Sequence, residues 1–277
     1  MKADDARCFA VLGYPIGHSK SPAMHNAAFA ELGSPHRYHA FAVAPEQLGA
    51  ALAGARALGL GGLNLTVPHK QAALAHVDVL SPEVRRIGAA NTIVLEAGRL
   101  TAHSTDGAGF LAGLAELGVS PPRRAVVLGG GGAARCIVDA LVHAYPGVAV
   151  AWVSRDPSTL PAEAGAERHP YEAVATWLAD ADLLVNATTV GMAGGPERFP
   201  VELPFDRMAR TGAVVDIVYR DRPTALLEAA ARHGLAIQNG LPMLLWQGVR
   251  AQELWRGEPL PAEAVAAMRR ALVGTSA

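Results

Sequence analysis

The chain has 277 residues, of which 51% are hydrophobic, and its formal net charge at pH 7 is −1. This length suits two domains of ordinary size, the near-zero charge argues against nucleic acid as the main partner, and no apolar run is long enough to cross a membrane. Cys8 and Cys136 are interpreted as buried thiols of a cytoplasmic protein rather than a disulfide or a metal site, and residues 1–5 are not typical of a signal peptide.

The first predicted elements are a strand over residues 9–12, a loop, and a helix that Gly33 ends. Ser21 is a favourable N-cap and Pro22 suits the first helical position, so the simplest interpretation of Ser21 is structural. Ser19 is not needed for such a cap. Two hydroxyl groups beside a helix N-terminus could instead hold a carboxylate, and the sequence leaves both interpretations open.

The next predicted elements are a strand, a helix and a second strand over residues 60–67, at whose end polar side chains gather. Asn64 and Thr66 project from the same face of this strand, and Lys70 begins the following helix. Each alone could be a polar edge, but an amide, a hydroxyl and an ammonium together indicate a site. Lys70 is also one of three lysines among 24 basic residues, and unlike arginine its amine can release a proton near neutral pH.

Residues 81–118 predict a short helix, a β-hairpin over residues 88–103, and a helix capped by Thr105 or Asp106. An aspartate at this position is most simply a cap. The charged Pro-Pro segment over residues 119–124 is typical of a linker or a domain edge.

Residues 125–141 predict a buried strand, a tight glycine turn and a helix. The turn over residues 129–134 reads GGGGAA and fits the G-x-G-x-x-[G/A] pattern. Glycines let the backbone approach a ligand closely, and the helix N-terminus directs free N–H groups and a positive dipole end at it, which suits a pyrophosphate. The pattern alone is weak, because such turns also occur with nothing bound.

The chain beyond the turn alternates strands with helices, which predicts a parallel, doubly wound sheet. The strands are predicted at residues 148–153, 182–186, 214–218 and 235–238, and the chain ends with helices over residues 241–256 and 262–272.

The tip of the second strand of this half indicates the cofactor. A site for NAD is expected to place an acidic residue there, to bind the ribose hydroxyls. Here the tip is Ser154 and Arg155, which suit a 2′-phosphate, so NADP is predicted. Asp156 argues the other way, because an inward carboxylate would repel that phosphate and favour NAD.

Together these motifs resemble the shikimate dehydrogenase family. The resemblance rests on motifs in the family's order across nearly the whole chain: residues 15–22 (PIGHSKSP), 64–70 (NLTVPHK), 88–92 (GAANT), 105–107 (TDG), the glycine turn, 186–188 (NAT), 216–219 (DIVY), and 239–243 (NGLPM) with Gln247. The set is highly specific, although the glycine turn alone is not.

The resemblance implies an α/β protein with two domains and a cleft between them: a substrate domain over residues 1–105 and 245–277, and a Rossmann-type NADP domain with a doubly wound parallel sheet over residues 106–244. It implies Lys70 and Asp106 as the catalytic pair. Substrate would be bound by Ser19, Ser21, Asn64, Thr66, Asn91, Tyr219 and Gln247. NADP would be bound by Gly129, Gly130, Gly131, Gly132, Ala133, Ala134, Ser154, Arg155, Thr188, Met192, Val218, Gly240 and Met243.

The implied reaction is the reversible NADP-dependent reduction of 3-dehydroshikimate to shikimate, without a metal, by a cytoplasmic monomer or homodimer with no nucleic-acid or membrane partner. Two positions depart from the family's pattern: Ser104 stands where asparagine is usual, and residues 154–156 read SRD where Asn-Arg-Thr is usual. The alternatives are a quinate/shikimate dehydrogenase that uses NAD, and a nucleotide-sensing protein on the same scaffold. The sensing protein would not need the Lys70–Asp106 pair.

Overall fold

The computed structural model describes residues 6–163 and 165–274, so the segment compared with a signal peptide lies outside the described residues. Two compact units make up the chain. The first comprises the chain up to Gly109 together with the part from Leu244 onward, and the second runs from Phe110 to Met243. Among the described helices, none combines the length and the apolar character that a membrane span requires.

The first unit contains a six-stranded mixed sheet in the order β2-β1-β3-β5-β6-β4. Strand β1 pairs in parallel with β2 and β3, whereas β5 is antiparallel to both β3 and β6. The strands are Cys8–Gly13 (β1), Arg37–Ala42 (β2), Gly62–Leu65 (β3), Val79–Leu80 (β4), Thr92–Glu96 (β5) and Arg99–His103 (β6).

Helices cover both faces of this sheet. Alternate residues of β1 point to opposite sides and therefore pack against different helices. Ala10 and Leu12 pack in one cluster, and Phe9 and Val11 pack with Tyr38 in another. The helices of this unit are Ser21–Glu31 (α1), Leu48–Ala57 (α2), His69–Ala72 (α3), Pro82–Ile87 (α4) and, after the second unit, Ala262–Gly274 (α10). The chain leaves the unit within Asp106–Leu117 (α5) and returns within Leu241–Arg256 (α9).

The second unit contains a six-stranded sheet in the order β12-β11-β10-β7-β8-β9, and every pair in it is parallel. The strands are Arg124–Leu128 (β7), Ala149–Val153 (β8), Ala166–His169 (β9), Leu183–Asn186 (β10), Ala213–Asp216 (β11) and Ala236–Gln238 (β12). The chain runs outward from β7 in one direction and then in the other, which is the doubly wound order of dinucleotide-binding folds. The predicted α/β class and parallel sheet are confirmed.

The core of the second unit lies on both faces of this sheet. Val127 packs on the face that carries Gly132–Ala144 (α6), and Val126 and Leu128 pack on the face that carries Val174–Leu178 (α7) and Ala225–Arg232 (α8). A central parallel strand buried on both sides needs a continuous apolar run, which is what the sequence AVVL provides.

The structure differs from the sequence predictions in several places. The two units do not divide at residues 119–124, because Phe110 and Leu114, earlier in α5, already pack in the core of the second unit. The sequence analysis also does not predict β4, β9 or α8. Strand β9 reads AERH and lies at the sheet edge, so it lacks the apolar run that marks the central strands.

Candidate active site

The central feature of the first unit is an ion pair between Lys70 and Asp106. The Nζ atom of Lys70, in the first turn of α3, lies 2.5 Å from Oδ2 of Asp106, the first residue of α5. The side chains are only 16% and 6% exposed, so water screens this pair much less than a surface pair. The structure thus brings together two residues that are 36 positions apart in the chain.

Asn91 links this pair to further polar groups. Its Nδ2 atom lies 2.8 Å from Oδ1 of Asp106 and 3.1 Å from Oε1 of Gln247. The backbone N–H of Thr105 donates to Oδ1 of Asn91 over 2.7 Å, which fixes the orientation of the amide. Lys70, Asn91, Asp106 and Gln247 therefore form one cluster.

Asn64 is buried and directs its amide at protein atoms. Its Oδ1 accepts from the hydroxyl of Tyr38 over 2.7 Å, and its Nδ2 lies 3.1 Å from the carbonyl of Asn91 and 3.0 Å from Oγ1 of Thr92. Thr66 follows the end of β3, and its methyl group packs over Gly13, where a Cβ would lie 2.4 Å away. The fold thus joins Asn64 to Asn91 rather than leaving its amide at a polar strand edge.

The predicted N-cap role of Ser21 is wrong. The cap residue is Lys20, with φ −82° and ψ −6°, because the helix begins one residue earlier than predicted, and the Lys20 side chain makes no capping hydrogen bond. Ser21 is instead buried beside the phenol of Tyr38. The hydroxyl of Ser19 accepts from the backbone N–H of Ser21 over 3.3 Å, so the two serines are adjacent at the start of α1.

The glycine turn of the second unit follows β7 and opens α6. Gly129 has φ +126°, and a Cβ there would lie 2.6 Å from the carbonyl oxygen of Ala187, so only glycine fits. The indole N–H of Trp152 donates to the Gly129 carbonyl over 2.7 Å and holds the turn in place. Gly131 caps α6 without a side chain, and a Cβ on it would meet no atom within 4 Å.

These features fit the pyrophosphate of a dinucleotide. The first N–H groups of α6 have no side-chain cap, and open space lies over Gly131. Gly132, Ala133 and Ala134 form the first turn of that helix, where the small third residue, Ala134, is fully buried.

The tip of β8 fits a phosphate group. The hydroxyl of Ser154 is buried, and no described residue forms a hydrogen bond with it. Arg155 is exposed beside it. Asp156 caps the short helix that follows, because its Oδ1 accepts from the backbone N–H of Ser158 over 3.0 Å and from the Ser158 hydroxyl over 2.6 Å. The carboxylate that argued for NAD is therefore engaged locally.

Two buried residues at the ends of β10 and β11 were not among the predicted site residues. The amide nitrogen of Asn186 donates to Oδ1 of Asp216 over 2.8 Å, and Oδ2 of Asp216 accepts from the Thr224 hydroxyl over 2.6 Å. Burial raises the pKa of Asp216. Asn186 also accepts from the Thr188 hydroxyl over 2.7 Å, and Asp216 from the N–H of Val218 over 3.0 Å. Polar residues ending adjacent apolar strands were the signal that could have identified them.

The other predicted cofactor residues differ in their surroundings. Gly240 approaches the backbone so closely that a Cβ would lie 2.0 Å from the carbonyl oxygen of Ile217. Met243 packs in the apolar core beside the end of α5, whereas Met192 is 38% exposed. Tyr219 is half-buried in the second unit, so it belongs to a different unit from the other predicted substrate residues.

One group of residues has the composition of a metal site. Potential ligand atoms of Asp139, His143 and Glu163 lie within 4.8 Å of one another. However, Nδ1 of His143 is 2.8 Å from the carbonyl oxygen of Asp139, and it must donate there because a carbonyl only accepts. That nitrogen is therefore not available as a metal ligand in this arrangement. The absence of a metal site stays a prediction.

Comparison with known proteins shows which family the chain belongs to. Residues 11–93 match the family model of the shikimate dehydrogenase substrate binding domain, and residues 240–273 match that of the shikimate 5′-dehydrogenase C-terminal domain. A shikimate dehydrogenase (NADP(+)) from Symbiobacterium thermophilum is 45% identical over 273 residues, which cover 93% of this chain and 91% of the relative.

Two solved structures are similar over almost their whole length. Shikimate 5-dehydrogenase from Thermus thermophilus, in complex with NADP(H) and shikimate, has a TM-score of 0.83 and 43% identity, covering 96% of this chain and 99% of that one. The Listeria monocytogenes enzyme, in complex with shikimate and NAD, has a TM-score of 0.83 and 32% identity, covering 96% of each chain. The resemblance noted in the sequence is confirmed, and the chain belongs to the shikimate dehydrogenase family.

Proposed function

We propose that this protein catalyses the reversible, NADP-dependent reduction of 3-dehydroshikimate to shikimate, with Lys70 and Asp106 as its acid–base pair. The observation that carries the proposal is the 2.5 Å contact between these two side chains, within a buried set of amide and hydroxyl groups. A titratable amine beside an oriented carboxylate suits proton transfer to and from an alcohol. Relatives with 45% identity are NADP-dependent shikimate dehydrogenases.

Lys70 is the proton donor in the direction of reduction. Negative charge grows on the substrate carbonyl oxygen as the alcohol forms, and the ammonium of Lys70 stabilises that charge and donates the proton. In the oxidation of shikimate, the neutral amine accepts the hydroxyl proton. Arginine could not replace it, because its guanidinium does not release a proton in proteins.

Asp106 holds the lysine in position. Its Oδ2 contacts the ammonium, and its Oδ1 lies 2.8 Å from Nδ2 of Asn91, so both oxygens are held. Hydroxyl groups of the substrate are bound by Asn91, Gln247, Thr66 and Tyr219, and the substrate carboxylate by Ser19 and Ser21. Asn64 also belongs to this substrate-binding set, and its amide nitrogen supports Asn91 and Thr92.

NADPH, when bound, supplies the hydride. The residues that would hold it are those of the second unit: the turn from Gly129 to Ala134 for the pyrophosphate, and Ser154 and Arg155 for the 2′-phosphate. Two observations support this assignment: the buried hydroxyl of Ser154 has no hydrogen-bond partner among the described residues, and the cap residue of α6 makes no side-chain capping bond. The local capping bonds of Asp156 support NADP over NAD. Thr188, Met192, Val218, Gly240 and Met243 complete the proposed cofactor site.

The proposal further comprises a cytoplasmic monomer or homodimer that acts on small molecules and has no nucleic-acid or membrane partner. Both cysteines, Cys8 and Cys136, are free thiols, which suits a reducing compartment.

The test is a spectrophotometric assay that follows reduced nicotinamide with purified protein. Shikimate and quinate are each offered with NADP⁺ and with NAD⁺. We expect the highest kcat/KM for shikimate with NADP⁺. Faster oxidation of quinate with NAD⁺ would favour the quinate/shikimate alternative. Binding of NADP⁺ without oxidation of shikimate would favour the nucleotide-sensing alternative.

A further inference from the structure

Two buried hydroxyl groups, those of Tyr38 and Thr92, lie in a chain of hydrogen bonds that ends on Asp106. Tyr38 is 1% exposed and Thr92 is fully buried. Both are in the first unit, and neither was predicted as a site residue. The direction of each hydrogen bond can be worked out, because two backbone groups determine how the two asparagines between them are oriented.

The orientation of Asn64 is set by the backbone of Asn91. The carbonyl oxygen of Asn91 lies 3.1 Å from Nδ2 of Asn64 and can only accept a hydrogen bond. The amide oxygen of Asn64 must therefore face the phenol of Tyr38, which lies 2.7 Å away and must donate. Burial raises the pKa of Tyr38 well above its ordinary value, so the phenol keeps the proton that it donates.

The hydroxyl of Thr92 accepts from Asn64 and donates toward Asn91. Its Oγ1 accepts from Nδ2 of Asn64 over 3.0 Å, which leaves its own hydrogen to donate. The acceptors within reach are Oδ1 of Asn91 at 3.2 Å and Oγ1 of Thr105 at 3.3 Å. Oγ1 of Thr105 accepts from Nδ2 of Asn91 over 2.9 Å and lies 3.2 Å from Oδ1 of the same amide, so either route reaches Asn91.

The orientation of Asn91 is set by the backbone of Thr105. The backbone N–H of Thr105 can only donate, and its nitrogen lies 2.7 Å from Oδ1 of Asn91. Nδ2 of Asn91 therefore faces Oδ1 of Asp106 at 2.8 Å. Donors run in one direction, from Tyr38 through Asn64, Thr92 and Asn91 to the carboxylate. The far oxygen of that carboxylate contacts Lys70 at 2.5 Å.

We propose that Tyr38 and Thr92 are positioning residues that act through Asn64 and Asn91 to hold the carboxylate of Asp106 toward Lys70. The inference rests on the proposed function. Donors to a carboxylate stabilise its ionised form, so a broken chain weakens the donor on Asp106 and loosens the carboxylate.

The test is a double-mutant cycle with Tyr38→Phe and Thr92→Val, measured on kcat for shikimate oxidation and on the unfolding equilibrium in urea. The net free energy of one hydrogen bond corresponds to a factor of about 3 to 10 in a rate or equilibrium constant. We therefore expect each variant to lower kcat by that factor and to leave the KM for NADP⁺ unchanged. Because the two groups act in series, the double variant should lose less than the product of the single losses, in both readouts.

Two variants serve as controls. Thr92→Ser keeps the hydroxyl and should retain kcat, whereas Tyr145→Phe removes a phenol from the second unit and should change nothing.

Different outcomes separate the two proposals. If the wild-type protein oxidises no shikimate, the proposed function fails, and the urea cycle still tests the chain. If the wild type is active but the losses multiply, or if both single variants keep full activity, the chain is overturned and the proposed function stands. Equal loss in Thr92→Ser and Thr92→Val would also overturn it.

Discussion

Replacing Lys70 with methionine removes the ammonium but keeps most of the side-chain volume. Oδ2 of Asp106 then loses its 2.5 Å partner, on a side chain that is only 6% exposed. Loss of a hydrogen bond to a charged group costs about 1.5–3 kcal/mol, so we expect the free energy of unfolding to fall by that amount. Turnover should fall about 10²- to 10⁴-fold, the usual contribution of a proton-transfer group, while KM for shikimate changes much less.

A second substitution separates these two effects. In Lys70→Met with Asp106→Asn, the uncompensated carboxylate is gone, so most of the stability should return. Turnover should remain low, because no group is left to transfer the proton. Urea unfolding measures the first quantity and steady-state oxidation of shikimate the second.

An exposed ion pair provides the matched control. Arg56 contacts Asp78 at 2.8 Å, with 41% and 35% of the two side chains exposed. Arg56→Met should cost much less stability than Lys70→Met and leave turnover unchanged, since surface pairs contribute little. Our reasoning is refuted if Lys70→Met keeps most of its turnover, or if the double variant regains turnover together with stability. In the second case the loss would reflect folding rather than proton transfer.

Two further predictions concern the cofactor and the pH dependence of stability. Arg155→Ala should weaken NADP⁺ binding and leave NAD⁺ binding nearly unchanged in calorimetric titrations, because it removes only a phosphate contact; equal losses would show a structural role. Burial lowers the pKa of His25 from 6.5 to about 3, so the unfolded chain takes up a proton that the folded protein does not. Stability is therefore lost as the pH falls from about 6.5 toward 3, by about 2 kcal/mol between pH 7 and pH 5. In urea unfolding, the free energy of unfolding of His25→Gln should fall by about 2 kcal/mol less than that of the wild type between pH 7 and pH 5. An equal fall in the two proteins would contradict the assignment.

Local patterns predicted much of the second unit correctly. The apolar run before Gly129, the glycine turn and the helix after it occur where the sequence places them, because strand burial and backbone freedom are properties of a short segment. The same reasoning failed at Ser21. A cap is defined by the residue at which the first helical turn closes, and the structure closes it on Lys20.

Apolar periodicity, glycine spacing and a rare lysine can all be recognised along the chain, so these patterns alone predict the α/β class, the glycine turn and the lysine of the proposed acid–base pair. Which polar side chains hydrogen-bond each other depends on the tertiary structure. The phenol of Tyr38 reaches Asn64 across 26 residues, and Asn64 reaches Thr92 across 28. The partner of a buried hydrogen-bonding group depends on how strands are ordered and registered. Strands β2, β1, β3 and β5 come to lie in this order only when the sheet of the first unit forms.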